Sequence, residues 1–212
     1  MPFPWDEDNP QVRNRIMDNL AVLLPDVVAS GRRRDPPAVD LAKDWHRRML
    51  HCIALAEPGV AGGFRGSGPR GSQLSTYPVT VGGVGGVRPG QVRSQMSIFG
   101  RRLSEKVAVL DPLIPEKTPP DPREGQVLEL CAWAHGEVIR VHPFADGNGR
   151  MARAWVVWLA ARYGLPAFLD LRPRPSDPTG YGSAARASMT GRHRLMEIAL
   201  TNMLASYRLG RP

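Results

Sequence analysis

The sequence predicts a mainly α-helical protein, a helical bundle carrying one small β-hairpin. Five stretches repeat apolar residues at helical spacing. One stretch, Ala154 to Ala161, is apolar all round, as in a helix buried on most sides. A single short segment, Thr76 to Val81, alternates like a strand and runs into a glycine-rich turn.

Residues 1–8 read as a loose tail. Asn9-Pro10 is a helix start, with Asn as cap and Pro in the first position. Val12, Ile16, Leu20, Leu23 and Leu24 follow at helical spacing, and Pro25 is expected to end or kink that helix. Gly31 to Pro37, with three arginines and two prolines, reads as a solvated linker. Residues 1–37 are thus taken as an N-terminal helical extension and linker, and 38–208 as the main domain.

A second helix is expected from about Asp40 to Leu55, with Leu41, Trp45, Met49, Cys52 and Ile53 on its apolar face. His46 and His51 lie off that stripe and read as surface or packing residues. Residues 57–91 hold half of the glycine; Tyr77, Val79 and Val81 form one side of the strand, and Gly82 to Gly86 its turn. Pro89 opens another helix with Val92, Met96, Phe99 and Leu103 inward. Residues 111–123 read as a surface loop. The next helix, about Arg123 to Val141, faces Val127, Leu130, Cys131, Ala134, Val138 and Val141 one way, with His135 as a hydrogen-bonded core histidine. After the apolar helix, Gly164 and Pro166 stop the chain. Ser176 to Pro212 reads as two helices, the last striped by Leu195, Ile198, Ala199, Met203 and Leu204.

The 212 residues are 42% hydrophobic, enough for a sizeable core, and carry a net charge of +8. No apolar run resembles a signal peptide or a membrane span. Cys52 and Cys131 both fall in apolar helical patterns, so buried free thiols and a cytoplasmic setting are expected.

The chemistry concentrates in His142-Pro-Phe-Ala-Asp-Gly-Asn-Gly-Arg-Met-Ala-Arg153. A polar turn between helices accounts for Asp146 to Gly149, but not for His142 or for two arginines three residues apart. Read as a phosphate site, every member has a use. Glycines permit close backbone approach. A helix beginning near Gly149 would offer unpaired N–H groups to an anion. Arginine forks suit phosphate oxygens. Asp146 offers hard oxygen to Mg²⁺, and His142 is the group placed in pKa to take a proton near neutrality.

These residues resemble the signature H-P-F-x-D-G-N-G-R-x-x-R of the Fic family (filamentation induced by cAMP), with every fixed position present. Ala61-Gly-Gly-Phe-Arg65 and Tyr181 to Met189 resemble two further family segments, so the likeness runs from about Leu41 to Leu204. It implies a Fic-type helical bundle over 38–208, with a hairpin flap near Thr76–Val84 that holds a protein target by strand addition. It implies an AMP-transferring enzyme, a protein adenylyltransferase, that uses ATP and Mg²⁺ and modifies a Tyr, Ser or Thr hydroxyl. His142 would be the general base, and Asp146 would hold Mg²⁺. Gly147, Asn148 and Gly149 would cradle the phosphates, Arg150 would contact the β-phosphate region, Arg153 would fix the γ-phosphate, and Tyr181 would lie near the base. By the same resemblance, Pro143 would stiffen the loop and Phe144 would anchor it. Glycine at 149, where the phosphorylating Doc branch carries lysine, favours AMP transfer over phosphate transfer.

Many members of the family are inhibited through [ST]-x-x-x-E-[GN]. Glu57, Glu124 and Glu197 all lack that frame, so a separate antitoxin protein is expected to supply the inhibitory carboxylate. The resemblance therefore implies a toxin–antitoxin setting, or delivery as an effector into another cell. Two rival readings stand beside it: a basic nucleic-acid-binding module, and a nucleotide-binding regulator without transfer activity. Against the first, aromatics are not interleaved with the arginines and no nucleic-acid fold signature is present.

Overall fold

The computed structural model describes residues 3–115, 122–171 and 180–210. Within them lie α1 (Pro10–Arg32), α2 (Val39–Met49), a four-residue α3 (Gln73–Thr76), β1 (Thr80–Val81), β2 (Val84–Gly85), α4 (Pro89–Leu110), α5 (Glu124–Val141), α6 (Asn148–Arg162), α7 (Tyr181–Ser188) and α8 (Arg194–Arg208). The expected fold class, helical with one small hairpin, is what the chain adopts. No described helix is long and apolar enough to cross a membrane.

The bundle is built around α6. From Met151 to Arg162 every residue of it is buried. It packs between α5 and α1, with α2 also against it. Trp155 is the hub, meeting Trp45 at 4.9 Å, Phe99 at 5.6 Å and Trp158 at 5.6 Å between ring centroids, each edge to face. Gly31 of α1 has no room for a side chain, because a Cβ there would stand 2.3 Å from the Trp158 carbonyl oxygen. That absence lets the two helix backbones touch.

Several elements depart from the sequence expectation. Pro25 does not end α1; the helix runs through it to Arg32. Pro25 lies on the exposed face, where water can take the hydrogen bond that proline forfeits, while Ile16, Leu20, Leu23 and Val27 hold the other face in the core. Nor is the arginine-rich linker all solvated. Arg34 donates to the carbonyl oxygens of Asp111 (3.3 Å) and Ile114 (2.5 Å).

The second helix stops at Met49, six residues early. Asn19 of α1 donates to the Met49 and His51 carbonyls at 3.0 and 2.8 Å, capping that end, and Cys52 then turns left-handed with φ 59°. Cys52 is therefore exposed, against expectation, while Cys131 is buried. The expected strand from Thr76 is also shortened. Ser72 caps α3, and the Glu57 carboxylate accepts from Gln73 and Leu74 N–H, so the chain is helical to Thr76. Strand pairing spans only Thr80–Gly85 and Val81–Val84, around Gly82 and Gly83 at positive φ. Thus Val84 and Gly85, read as turn, are strand.

The α8 stripe is rotated. Leu195 and Ile198 are half exposed, and Met196, Ala199, Leu200 and Leu204 are buried. Residues 1–8 are not loose over their described part: Trp5 is in the core, and Phe3 meets Tyr77 at 4.6 Å. The loop expected at 111–123 begins with a 3-10 turn at Asp111–Leu113; its residues 116–121, and the stretch 172–179 before α7, lie outside the described residues.

Candidate active site

The 142–153 stretch is a turn between α5 and α6, closed by its own side chains. Asn148 Oδ1 accepts from Phe144 N–H at 2.8 Å, and its Nδ2 donates to the Phe144 carbonyl at 2.9 Å. The Asn148 side chain is thus a brace across the loop. Phe144 is fully buried, stacked on His46 at 4.0 Å and tilted against Phe64 at 5.3 Å. This anchors the loop from beneath, as expected of Phe144.

His46 is a site residue that its place off the α2 stripe conceals. It is wholly buried. Its Nδ1 accepts from Gly62 N–H at 2.9 Å, which places the proton on Nε2, and Nε2 donates to the Asp146 carbonyl at 3.1 Å. So α2 holds the loop by one neutral imidazole. Burial pushes the His46 pKa down to about 3, and that of His135 likewise to about 3. The unfolded chain takes up protons on these groups below about 6.5 and the folded chain does not. Stability is therefore complete above that value and is lost as pH falls toward 3, at up to about 1.4 kcal/mol per pH unit for each histidine. Urea midpoints should drop clearly from pH 7.5 to pH 5; equal midpoints would contradict burial of both rings in neutral form.

His142 caps α5 in a left-handed conformation, φ 48° and ψ 64°, which few residues other than glycine adopt. The ring is fixed through Nδ1, 2.5 Å from the Ile139 carbonyl oxygen. A carbonyl only accepts, so Nδ1 carries the proton and Nε2 keeps the lone pair. Burial lowers the His142 pKa, the Ile139 bond opposes this, and the Arg65 charge adds to the lowering. The imidazole thus stays neutral, and able to accept a proton, to lower pH than a free histidine.

His142 borders a cavity of about 320 Å³ whose walls come from the hairpin (Val79, Val81), the motif (Asp146, Gly149, Arg153) and α7 (Tyr181). A larger groove of about 520 Å³ between α4 and α5 is lined by such residues as Val109, Leu113 and Trp133; it gathers none of the motif's groups. The amides of residues 148–150 precede the first intrahelical bond, from Met151 N–H to the Gly147 carbonyl, and are the unpaired donors of a helix start. Gly147 caps that start at φ 76°, and a Cβ there would lie 2.6 Å from Met49 Cε. Gly149 differs. A Cβ there would meet nothing closer than Arg153 Nη1 at 3.6 Å, so packing does not require glycine. Its absent side chain leaves the helix start bare toward the cavity, a cradle for a ligand.

Arg153 is buried beneath that surface. It donates to Tyr181 Oη at 3.2 Å and to the Leu171 carbonyl at 3.3 Å, with its guanidinium 5.8 Å from the Tyr181 ring centroid. Tyr181 is itself buried, and its hydroxyl lies 2.6 Å from His135 Nε2. His135 is thus the hydrogen-bonded core histidine expected of it, and Tyr181 supports Arg153 as well as lining the cavity. Arg150 stands outside the cavity lining. It pairs with Glu7 of the N-terminal segment, Nη1 to Oε2 at 3.1 Å.

Asp146 sits at the cavity mouth, its Oδ1 accepting from Gly147 N–H at 2.5 Å. Surrounding protein desolvates the carboxylate and raises its pKa, against the lowering from that bond and from Arg150. No cluster of three or more His, Cys, Asp or Glu among the described residues could hold a metal ion. A single carboxylate at the mouth of the cavity nevertheless fits Mg²⁺, which takes one or two carboxylates and fills the rest of its shell from substrate phosphates and water.

A family model described as the Fic/DOC family matches residues 38–160. The chain is 30% identical over 136 residues to the protein adenylyltransferase fic-1 of Caenorhabditis elegans, covering 64% of this chain and 21% of that one. It is 37% identical over 68 residues to the uridine 5'-monophosphate transferase of Xanthomonas campestris, covering 32% of this chain and 11% of that one. It therefore spans about a fifth of the length of the first of these relatives and about a tenth of the second. A crystal structure of a Fic-domain-containing signalling protein from Bacteroides thetaiotaomicron superposes with a TM-score of 0.63 at 18% identity, over 93% of this chain and 74% of that one, a likeness of fold.

Proposed function

Because this chain belongs to the Fic/DOC family, we propose that it is a protein adenylyltransferase, moving AMP from ATP to a Tyr, Ser or Thr hydroxyl of another protein. The observation that carries this reading is the pairing of His142, protonated on Nδ1 and open on Nε2, with the bare start of α6 across one small cavity. His142 Nε2 takes the proton of the target hydroxyl. The freed oxygen attacks the α-phosphorus, the bond to the bridging oxygen of the β-phosphate breaks, and pyrophosphate leaves. The amides at 148–150 and Arg153 hold the phosphates, and Arg150 reaches the β-phosphate region on leaving Glu7. Such transfer depends mainly on positioning and charge neutralisation. Mg²⁺ on Asp146 would supply part of that neutralisation.

The target segment lies along the hairpin, by strand addition at its edge. A separate antitoxin protein supplies the carboxylate that restrains Arg153. The setting is cytoplasmic, of this cell or of one that receives the chain as an effector.

Incubation of a lysate with the purified chain and nucleotide labelled at either end tests the reading. Label from α-³²P-ATP should remain on protein, while label from γ-³²P-ATP should leave with pyrophosphate. γ-Label retained above that of the same lysate without the chain would mean phosphate transfer and overturn it. The likeness to a UMP transferase favours UTP as the second donor, so α-³²P-UTP is the third arm; incorporation from UTP alone would replace AMP by UMP and keep the mechanism.

A further inference from the structure

The geometry points to Arg65 as a positioning residue for the transfer just proposed, on which this inference rests: its guanidinium fixes His142 against both legs of the hairpin and so sets where a docked hydroxyl meets the base. Arg65 is 1% exposed. Its donors are directed at backbone carbonyls: Nε to His142 at 2.6 Å, Nη1 to Tyr77 at 2.9 Å, and Nη2 to Val87 at 2.9 Å and Val141 at 3.0 Å. Its own backbone N–H donates to the Pro143 carbonyl at 2.8 Å. One residue thus holds three successive carbonyls of the loop, together with the chain entering and the chain leaving the hairpin.

Burying a guanidinium is costly, and closing one turn does not call for it. Reaching carbonyls on three separate segments from one plane does, because the arginine fork carries five donors in fixed directions. The left-handed backbone of His142 is a conformation that persists only where its surroundings over-determine it, and Arg65 provides much of that constraint. The hairpin leg also abuts the imidazole's root. A Cβ on Gly86 would lie 3.2 Å from His142 Cβ and 3.3 Å from Arg65 Nη2. Hairpin and base therefore move as one body, with the guanidinium as rivet. The start of α6 is braced separately, by Asn148 and His46.

This division predicts a split between turnover and nucleotide binding. Arg65→Lys keeps the charge and loses the fork. Its labelling rate from α-³²P-ATP into lysate protein should fall about 10–100-fold, the range expected when reacting groups are displaced by an ångström or so. The dissociation constant for Mg–ATP by calorimetry should stay within about threefold, a margin below 1 kcal/mol. Gly86→Ala keeps Arg65 and pushes the hairpin leg off His142, so it should show the same split, and it decides the matter if the lysine variant does not fold. Either folded variant labelling at the wild-type rate would overturn the inference, as would loss of rate matched by equal loss of nucleotide affinity. An inactive wild type would sink the transferase reading itself; an active wild type with an equally active Arg65→Lys would sink only the role of Arg65.

Discussion

Replacing His142 by alanine is expected to lower protein labelling from α-³²P-ATP by at least about 10²-fold, the lower end of what a general base contributes. ATP binding should survive. The ring is held by Ile139 and by the α5 cap, and neither belongs to the α6 amides or to Arg153. Calorimetry and labelling on the same preparation separate the two effects. A variant that labels within about tenfold of wild type would remove the imidazole from proton transfer. Loss of nucleotide binding in parallel would place His142 in the phosphate site instead. The same experiment separates the transferase from both rivals, since a nucleic-acid-binding module should ignore the mutation and show affinity that falls steeply with salt.

Trp155→Ala should cost about 3–5 kcal/mol, the usual penalty for deleting a fully buried tryptophan. Its ring touches Trp45 of α2, Phe99 of α4 and Trp158 of its own helix, so the cavity would open where three helices meet. Total stabilities are commonly about 5–15 kcal/mol, and the variant would lose a large part of that. Its urea midpoint measures the loss. Trp155→Phe should be far milder, because it keeps most of the packing and removes an indole N–H that is buried with no partner among the described residues. A phenylalanine variant as unstable as the alanine one would show that packing around this ring is not what α6 depends on. The effect reaches function through preorganisation: the amides at 148–150 are aimed by the helix that Trp155 seats.

Much of the fold was legible because periodicity reports burial. The α4 stripe of Val92, Met96, Phe99 and Leu103 is buried as read, and the all-apolar run of α6 lies at the centre. Where the reading slipped, tertiary contacts outvoted local signals. Asn19 ends α2 from a distant helix, and Glu57 draws Gln73 and Leu74 into a helical turn that no propensity marks. The motif announced its chemistry through residue types that packing does not ask for. His46 and Arg65 were harder to find, since both work through backbone amides and carbonyls, and a backbone group carries no residue identity for a sequence to display. The Gly62 amide that seats His46 and the Pro143 and His142 carbonyls that seat Arg65 emerge only from the folded chain.

The pairing of Glu7 with Arg150, beside a Trp5 sunk in the core, bears on how the protein is best handled. Phe3 to Glu7 belong to the folded body, so proteolytic trimming past Glu7 would take Trp5 out of the core and free Arg150 of its carboxylate partner.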